Sequence, residues 1–194
     1  MDKFSYAIGL GIGQNLMSMG AKGISVKDFA QAITDVIEGN STAISHQEAR
    51  EIVNAYFAEL EKKVNAENIE SGKAFLEKNK ENPNIKTLPS GLQYEVITEG
   101  TGKKPKATDQ VRCHYEGTLI DGTLFDSSIQ RGQPAVFGVN QVIQGWVEAL
   151  QLMSEGSKWK LYIPSELGYG TQGAGETIPP HSTLIFEVEL IEVL

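Results

Sequence analysis

The chain changes its hydrophobic rhythm near Pro83: before it apolar residues recur at helical spacing, and after it they alternate while glycine and proline become dense. Three helices are predicted in the first part. One spans about Ser5 to Met19 and stops at Gly20. A second starts at Ser25, where Ser25-Val-Lys-Asp28 has the form of a capping box, and sets Phe29, Ile33, Val36 and Ile37 on one face before Gly39. A third starts at Ser45 with Glu48 three residues on, and meets no breaker stronger than Gly72 before Pro83, so it can run about 35 residues, roughly 50 Å. Its first half carries an apolar stripe in Ile52, Val53, Tyr56, Phe57, Leu60 and Val64. From Asn65 to Asn82 it is mostly polar, which predicts a stalk packed at its start and solvated at its end.

Beyond Pro83 strands are expected over Leu92–Thr98, Val111–Leu119 and Leu184–Leu190; in the last, Glu187 and Glu189 share the face opposite Phe186, Val188 and Leu190. Asp121-Gly122 marks a tight turn. One short helix from Gln144 to Met153 would turn Trp146, Val147 and Leu150 inward. About five strands and one helix predict an α+β domain, a twisted antiparallel sheet wrapped on that helix. The expected organisation is a helical module at 1–43, a connecting helix at 44–82 and the α+β domain at 83–194.

Charge narrows the function. A formal net charge of -8 argues against nucleic acid as a partner, and no run of about 18 uncharged apolar residues predicts a membrane span. The apolar run Ala7–Met19 is interrupted by Gly9, Gly11 and Gly13 and lacks a basic flank, so it is read as a mature helix and a cytoplasmic location is expected, with a periplasmic or exported one as the alternative if a signal has been removed. One cysteine, Cys113, permits no internal disulfide, and with three scattered histidines no metal and no cofactor is expected.

Two motifs invite chemistry and are set aside. Gly168-Tyr-Gly170-Thr-Gln-Gly173 matches a dinucleotide fingerprint literally, but Pro179-Pro180 follows where the phosphate-binding helix should start; a flexible loop is expected instead. Asp126-Ser127-Ser128, with His114 and His181 elsewhere, lacks a nucleophile elbow and reads as turn chemistry.

The runs Val111-Arg-Cys-His-Tyr115-Glu-Gly117, Asp121-Gly122-Thr-Leu-Phe125-Asp126-Ser127-Ser128, Gly138-Val-Asn-Gln-Val142-Ile143-Gln-Gly145-Trp146, Ile163-Pro164-x-x-x-Gly168-Tyr169-Gly170 and Ile178-Pro179-Pro180-His181 through Phe186 to Leu190 follow in order. Together they resemble the FKBP family of peptidyl-prolyl cis/trans isomerases over about residues 88 to 194. The helices, with Ser5-Tyr6-Ala-Ile8-Gly9 and Leu88-Pro89-Ser90-Gly91-Leu92, resemble its Mip-like branch, which implies a homodimer through the N-terminal helices.

The resemblance implies an isomerase acting on proline-containing polypeptides, or else the same fold used as a non-catalytic chaperone or scaffold. It implies Trp146 as the floor for a proline ring and Tyr115, Phe125, Phe137, Val142, Ile143, Ile178 and Phe186 as apolar walls. Asp126, Arg131 and Tyr169 are implied as the polar members, with the Tyr169 hydroxyl and the Ile143 N–H as donors to the substrate. Ala135 and Ala174 depart from the small eukaryotic members, which puts affinity for macrolide inhibitors in question. A fragment from about Asn84 keeps every one of these residues and is expected to fold and act on short peptides by itself.

Overall fold

The computed structural model describes residues 1–194. Its chain forms two compact units, Met1–Lys63 and Val64–Leu194.

In the first unit, α1 (Lys3–Ser18) begins where the Asp2 carboxylate accepts the Ser5 N–H at 2.7 Å. It ends at Gly20, whose φ of 75° reverses the chain. Helix α2 (Val26–Glu38) is capped by Ser25 Oγ, which accepts the Asp28 N–H at 3.4 Å, and stops at left-handed Gly39. Helix α3 (His46–Asn79) starts where Ser45 Oγ accepts the Glu48 N–H at 3.1 Å. Both serine caps lie where the sequence puts them. Neither α1 nor α2 buries a residue.

The sequence boundaries at 43/44 and 82/83 treat α3 as a separate piece, whereas the division between compact units falls inside it, at Lys63/Val64. The expected burial along α3 is also reversed. Ile52 and Val53 in its first half are about half exposed, and its one buried residue is Gly72 in the second half. The second half docks through Phe75 and Leu76 together with polar groups that hydropathy does not register. The Phe75 and Tyr162 rings lie 6.0 Å apart, and the Gln93 side chain, 1% exposed, donates to the Leu76 carbonyl and accepts from the Asn79 amide, both at 2.9 Å.

The second unit holds seven strands where about five were expected: β1 (Ile85–Thr87), β2 (Gln93–Thr98), β3 (Gln110–Leu119), β4 (Leu124–Ser127), β5 (Ala135–Gly138), β6 (Lys158–Ile163) and β7 (Leu184–Val193). All pairs are antiparallel, in the order β1-β2-β6-β7-β3-β4, with β5 also on β3. Strand β7 is central, pairing Phe186 with Gly117 on one side and Leu161 on the other. Asp121-Gly122 makes the β3–β4 turn: the Gly122 N–H donates to the Leu119 carbonyl at 3.0 Å with φ 89°. Helix α4 (Gln144–Leu152) contributes Trp146, Ala149 and Leu150 to one buried cluster with the sheet residues Cys113, Leu161, Leu184 and Val188 among others. Full burial of a side chain the size of Leu150 or Leu161 is worth about 1.5–3 kcal/mol.

Candidate functional site

One end of the α4–sheet layer opens into a cavity of about 520 Å³. Its contributors are far apart in sequence: Tyr115 on β3, Phe125 and Asp126 on β4, Phe137 on β5, Trp146 at the start of α4, Tyr169 and Ile178 on the loops after β6, and Phe186 on β7. Trp146, 3% exposed, is the hub. Its ring meets Tyr115 at 5.4 Å, Phe137 at 5.6 Å and Phe186 at 5.3 Å, with interplanar angles of 87°, 77° and 85°. Edge-to-face contacts of this kind add about 0.5–1.5 kcal/mol each beyond area burial and fix the floor. Gly117 makes this possible, because a Cβ there would lie 2.5 Å from the Phe125 ring and 2.7 Å from Phe186.

One rim of the cavity is polar. The Tyr115 hydroxyl donates to the Asp126 carboxylate at 2.5 Å, Arg131 Nη1 donates to its other oxygen, and Arg131 Nη2 donates to the Tyr115 oxygen at 2.8 Å. Burial by itself would raise the Asp126 pKa, but the Tyr115 and Arg131 hydrogen bonds and the guanidinium charge outweigh it and hold the carboxyl below its ordinary value. Burial raises the Tyr115 pKa, and so does its bond to Asp126. Tyr169 is shifted the same way, by burial first and then by the Asp126 charge, so its hydroxyl stays a neutral donor. The Ile143 N–H stands at the N-cap of α4, a position the helix's own ladder leaves free.

All the residues singled out in the sequence as pocket members line this cavity except Arg131, which reaches it through Asp126 and Tyr115. Ala174, marked in the sequence for its bearing on inhibitor affinity, also lines it, and Gln141, Gly175 and Thr177 line it without having been named as pocket members. Ala174, Gly175 and Thr177 belong to the glycine-rich stretch, which is not a free loop. Ala174 and Ile178 exchange backbone hydrogen bonds at 2.9 and 3.1 Å, closing a tight hairpin. Gly173 is required there: its φ is 64°, and a Cβ would come within 2.3 Å of the Ile178 carbonyl oxygen. Ala135 pairs with Cys113 and packs on the core without lining the cavity.

Ser128 is fully buried, accepts the Tyr115 N–H at 2.8 Å and lies 3.0 Å from His114 Nδ1, so it pins β3 to the β4 turn and offers no nucleophile to solvent. Burial pushes the Cys113 thiol up to about 12, which leaves it unreactive. No group of three His, Cys, Asp or Glu is placed to hold a metal, and no helix is long and apolar enough to cross a membrane.

Residues 101–191 match the family model described as FKBP-type peptidyl-prolyl cis-trans isomerase, and residues 1–96 match the domain amino terminal to it. The chain is 48% identical over 194 residues to the FKBP-type 22 kDa peptidyl-prolyl cis-trans isomerase of Escherichia coli, covering 98% of this chain and 94% of that one. The chain belongs to the FKBP family. The Mip-like branch is supported as well: the outer membrane protein MIP of Legionella longbeachae is 43% identical over 99% of this chain and 85% of its own. Among solved structures, the crystal structure of FkpA from Escherichia coli aligns with a TM-score of 0.81 at 36% identity, covering 98% of this chain and 95% of that one. The FKBP match to the C-terminal model spans every lining residue from Tyr115 to Phe186, and the α+β architecture is the one the family carries.

Proposed function

We infer that this FKBP chain catalyses cis/trans isomerisation of X-Pro bonds in polypeptides, with the Trp146 cavity as its site. The observation that carries the site is the join of a buried aromatic floor to a neutral tyrosine donor and an ionised carboxylate held by two donors. The reaction needs neither nucleophile nor proton transfer. The amide must lose resonance as it twists, over a barrier of about 18–20 kcal/mol in the uncatalysed bond. Water favours the planar, polarised amide, so transfer to the aromatic cavity favours the twisted form. Interactions made only with the twisted form then lower the barrier, about 1.4 kcal/mol per tenfold of rate. The proline ring rests on Trp146 between Phe186 and Tyr115. The Tyr169 hydroxyl and the Ile143 N–H donate to substrate backbone carbonyls. Asp126 orients the rim through Tyr115 and Arg131.

A prolyl tetrapeptide isomerisation assay tests this directly. The full chain is expected to be active. Tyr169→Phe, with an unchanged circular dichroism spectrum, should lower kcat/KM about two- to tenfold, the scale of one neutral hydrogen bond. An inactive full chain overturns the function, and full activity of Tyr169→Phe removes that donor from the mechanism.

We also propose a homodimer through the helical unit. Along α2, Val36 is 63% and Ile37 79% exposed. Along α1 an apolar groove of about 930 Å³ runs past Tyr6, Leu10 and Met17, and Asp2 is its one charged lining residue. Faces this apolar are seldom left to water, and a twofold contact covers the same patch on both copies. Light scattering should give about twice the 21.2 kDa chain mass; a monomer at micromolar concentration refutes the dimer.

A further inference from the structure

The second half of α3 does more than rest on the sheet. Asn68, Gly72, Phe75 and Asn79 recur at spacings of four, three and four, so they share one face of the helix. Asn68 stands at the loop end of that face. Its Nδ2 donates to the Pro180 carbonyl at 2.9 Å. One turn on, Gly72 brings the helix backbone so near the next segment that a Cβ would lie 2.4 Å from Thr183 Oγ1.

What these residues hold is the return of the cavity hairpin. Around Pro180 the chain is clamped from two sides. Its carbonyl is taken by Asn68, and the N–H of the same peptide unit, from His181, donates to the Gly170 carbonyl at 2.8 Å. His181 is the one non-glycine residue with positive φ, 59°, a conformation that persists only where its surroundings impose it. Ser182 Oγ closes the turn on the Pro179 carbonyl at 2.7 Å. Two residues before Pro180, Ile178 is 6% exposed and lines the cavity while bridging Ala174 on the other arm of the hairpin.

We propose that Asn68 is a positioning residue for the isomerase site, holding the 174–178 wall of the cavity through the Pro180–His181 peptide. The inference rests on the cavity being the site of isomerisation. It extends the functional unit to a helix that supplies no residue of the cavity lining. Without the Asn68 donor the Pro180 carbonyl loses its partner, the left-handed turn keeps only the His181–Gly170 and Ser182–Pro179 bonds, and Ile178 loosens with it.

Isosteric variants of the full chain separate donor from bulk. Asn68→Asp keeps size and shape but has no N–H to give; Asn68→Gln keeps the amide, and the adjoining groove of about 350 Å³ has room for a further methylene. Tetrapeptide kcat/KM should fall about fivefold in Asn68→Asp, the scale of one hydrogen bond, and return to near wild type in Asn68→Gln. Amide exchange at His181 and Ile178 should speed up in Asn68→Asp alone, while exchange in β3 and β7 stays unchanged. A role in packing alone gives the opposite order, with Asn68→Gln the worse variant. That order, or unchanged exchange at His181 and Ile178 in Asn68→Asp, overturns the proposal. The exchange readout holds whatever the catalytic rate, and an inactive wild type with responsive exchange faults the assigned function and leaves the positioning role standing.

Discussion

Replacing Asp126 with leucine is expected to cut tetrapeptide kcat/KM about tenfold or more, the largest single-residue effect at this site. The carboxylate is the common acceptor for the Tyr115 hydroxyl and the Arg131 guanidinium. Tyr115 is 7% exposed and cannot turn to water; a buried hydroxyl stripped of its acceptor costs about 1–3 kcal/mol. Arg131 is partly exposed, with 47% of its side chain reachable, and rehydrates, so its share is small. The same geometry fixes the pH dependence. Asp126 titrates lower in the fold than its ordinary 3.8, so its contribution is present above that value and is lost as pH falls through the folded pKa. Tyr115 and Tyr169 titrate above their ordinary 10.0, so their neutral forms persist until strongly alkaline pH. Wild-type activity should therefore be flat from about pH 5 to 9. Full activity in a folded Asp126→Leu variant, or a wild-type inflection near neutrality, would contradict this account of the rim.

The second large effect concerns where the isomerase domain begins. A fragment from Asn84 contains every lining residue, and on sequence grounds it looks self-sufficient. The docked turns of α3 change that expectation. Such a fragment uncovers Gln93, Thr183 and Tyr162 and loses Phe75, Leu76 and the Asn68 bond. Losing half-buried side chains of the Phe75 and Leu76 class costs about 2–4 kcal/mol, out of the 5–15 typical of a domain. A fragment from Val64 should melt near the α+β unit of the full chain, and one from Asn84 about 10 °C or more lower, with reduced peptide turnover. Equal melting temperatures for the two fragments would show that α3 is dispensable to the domain.

That contrast also marks what the sequence could and could not convey. The serine caps at 25 and 45 were legible because a cap is a local pattern. So was β7, where Phe186, Val188 and Leu190 alternate with glutamates over a half-wet sheet. The cavity members were reachable through the ordered family motifs; composition alone would have assigned each aromatic to the core. Strands β1, β4 and β5 are three or four residues long and give no usable alternation. The docking face of α3 was misjudged because Phe75 is its one large apolar residue among asparagines and a glycine. The asparagines and Gly72 act through hydrogen bonds and close approach, which are invisible to a hydrophobic stripe. Gln141 and Thr177 line the cavity with no chemical signal of their own.

The central position of β7 constrains how this protein can be born. Remove residues 184–193 and the sheet falls into two unconnected halves, β1-β2-β6 and β3-β4-β5, since β7 alone bridges β6 and β3. It also carries Phe186, so during synthesis no pocket exists until Val193 has cleared the ribosome. Until then Leu161, Ile163, Val111 and Cys113 wait without the strand that covers them. The helical unit has no such dependence and is complete more than a hundred residues earlier. Long-range pairings of this kind are slow to find. The isomerase thus spends its own emergence as two exposed half-sheets, and nascent chains stalled before Leu184 should be the species that a holdase captures.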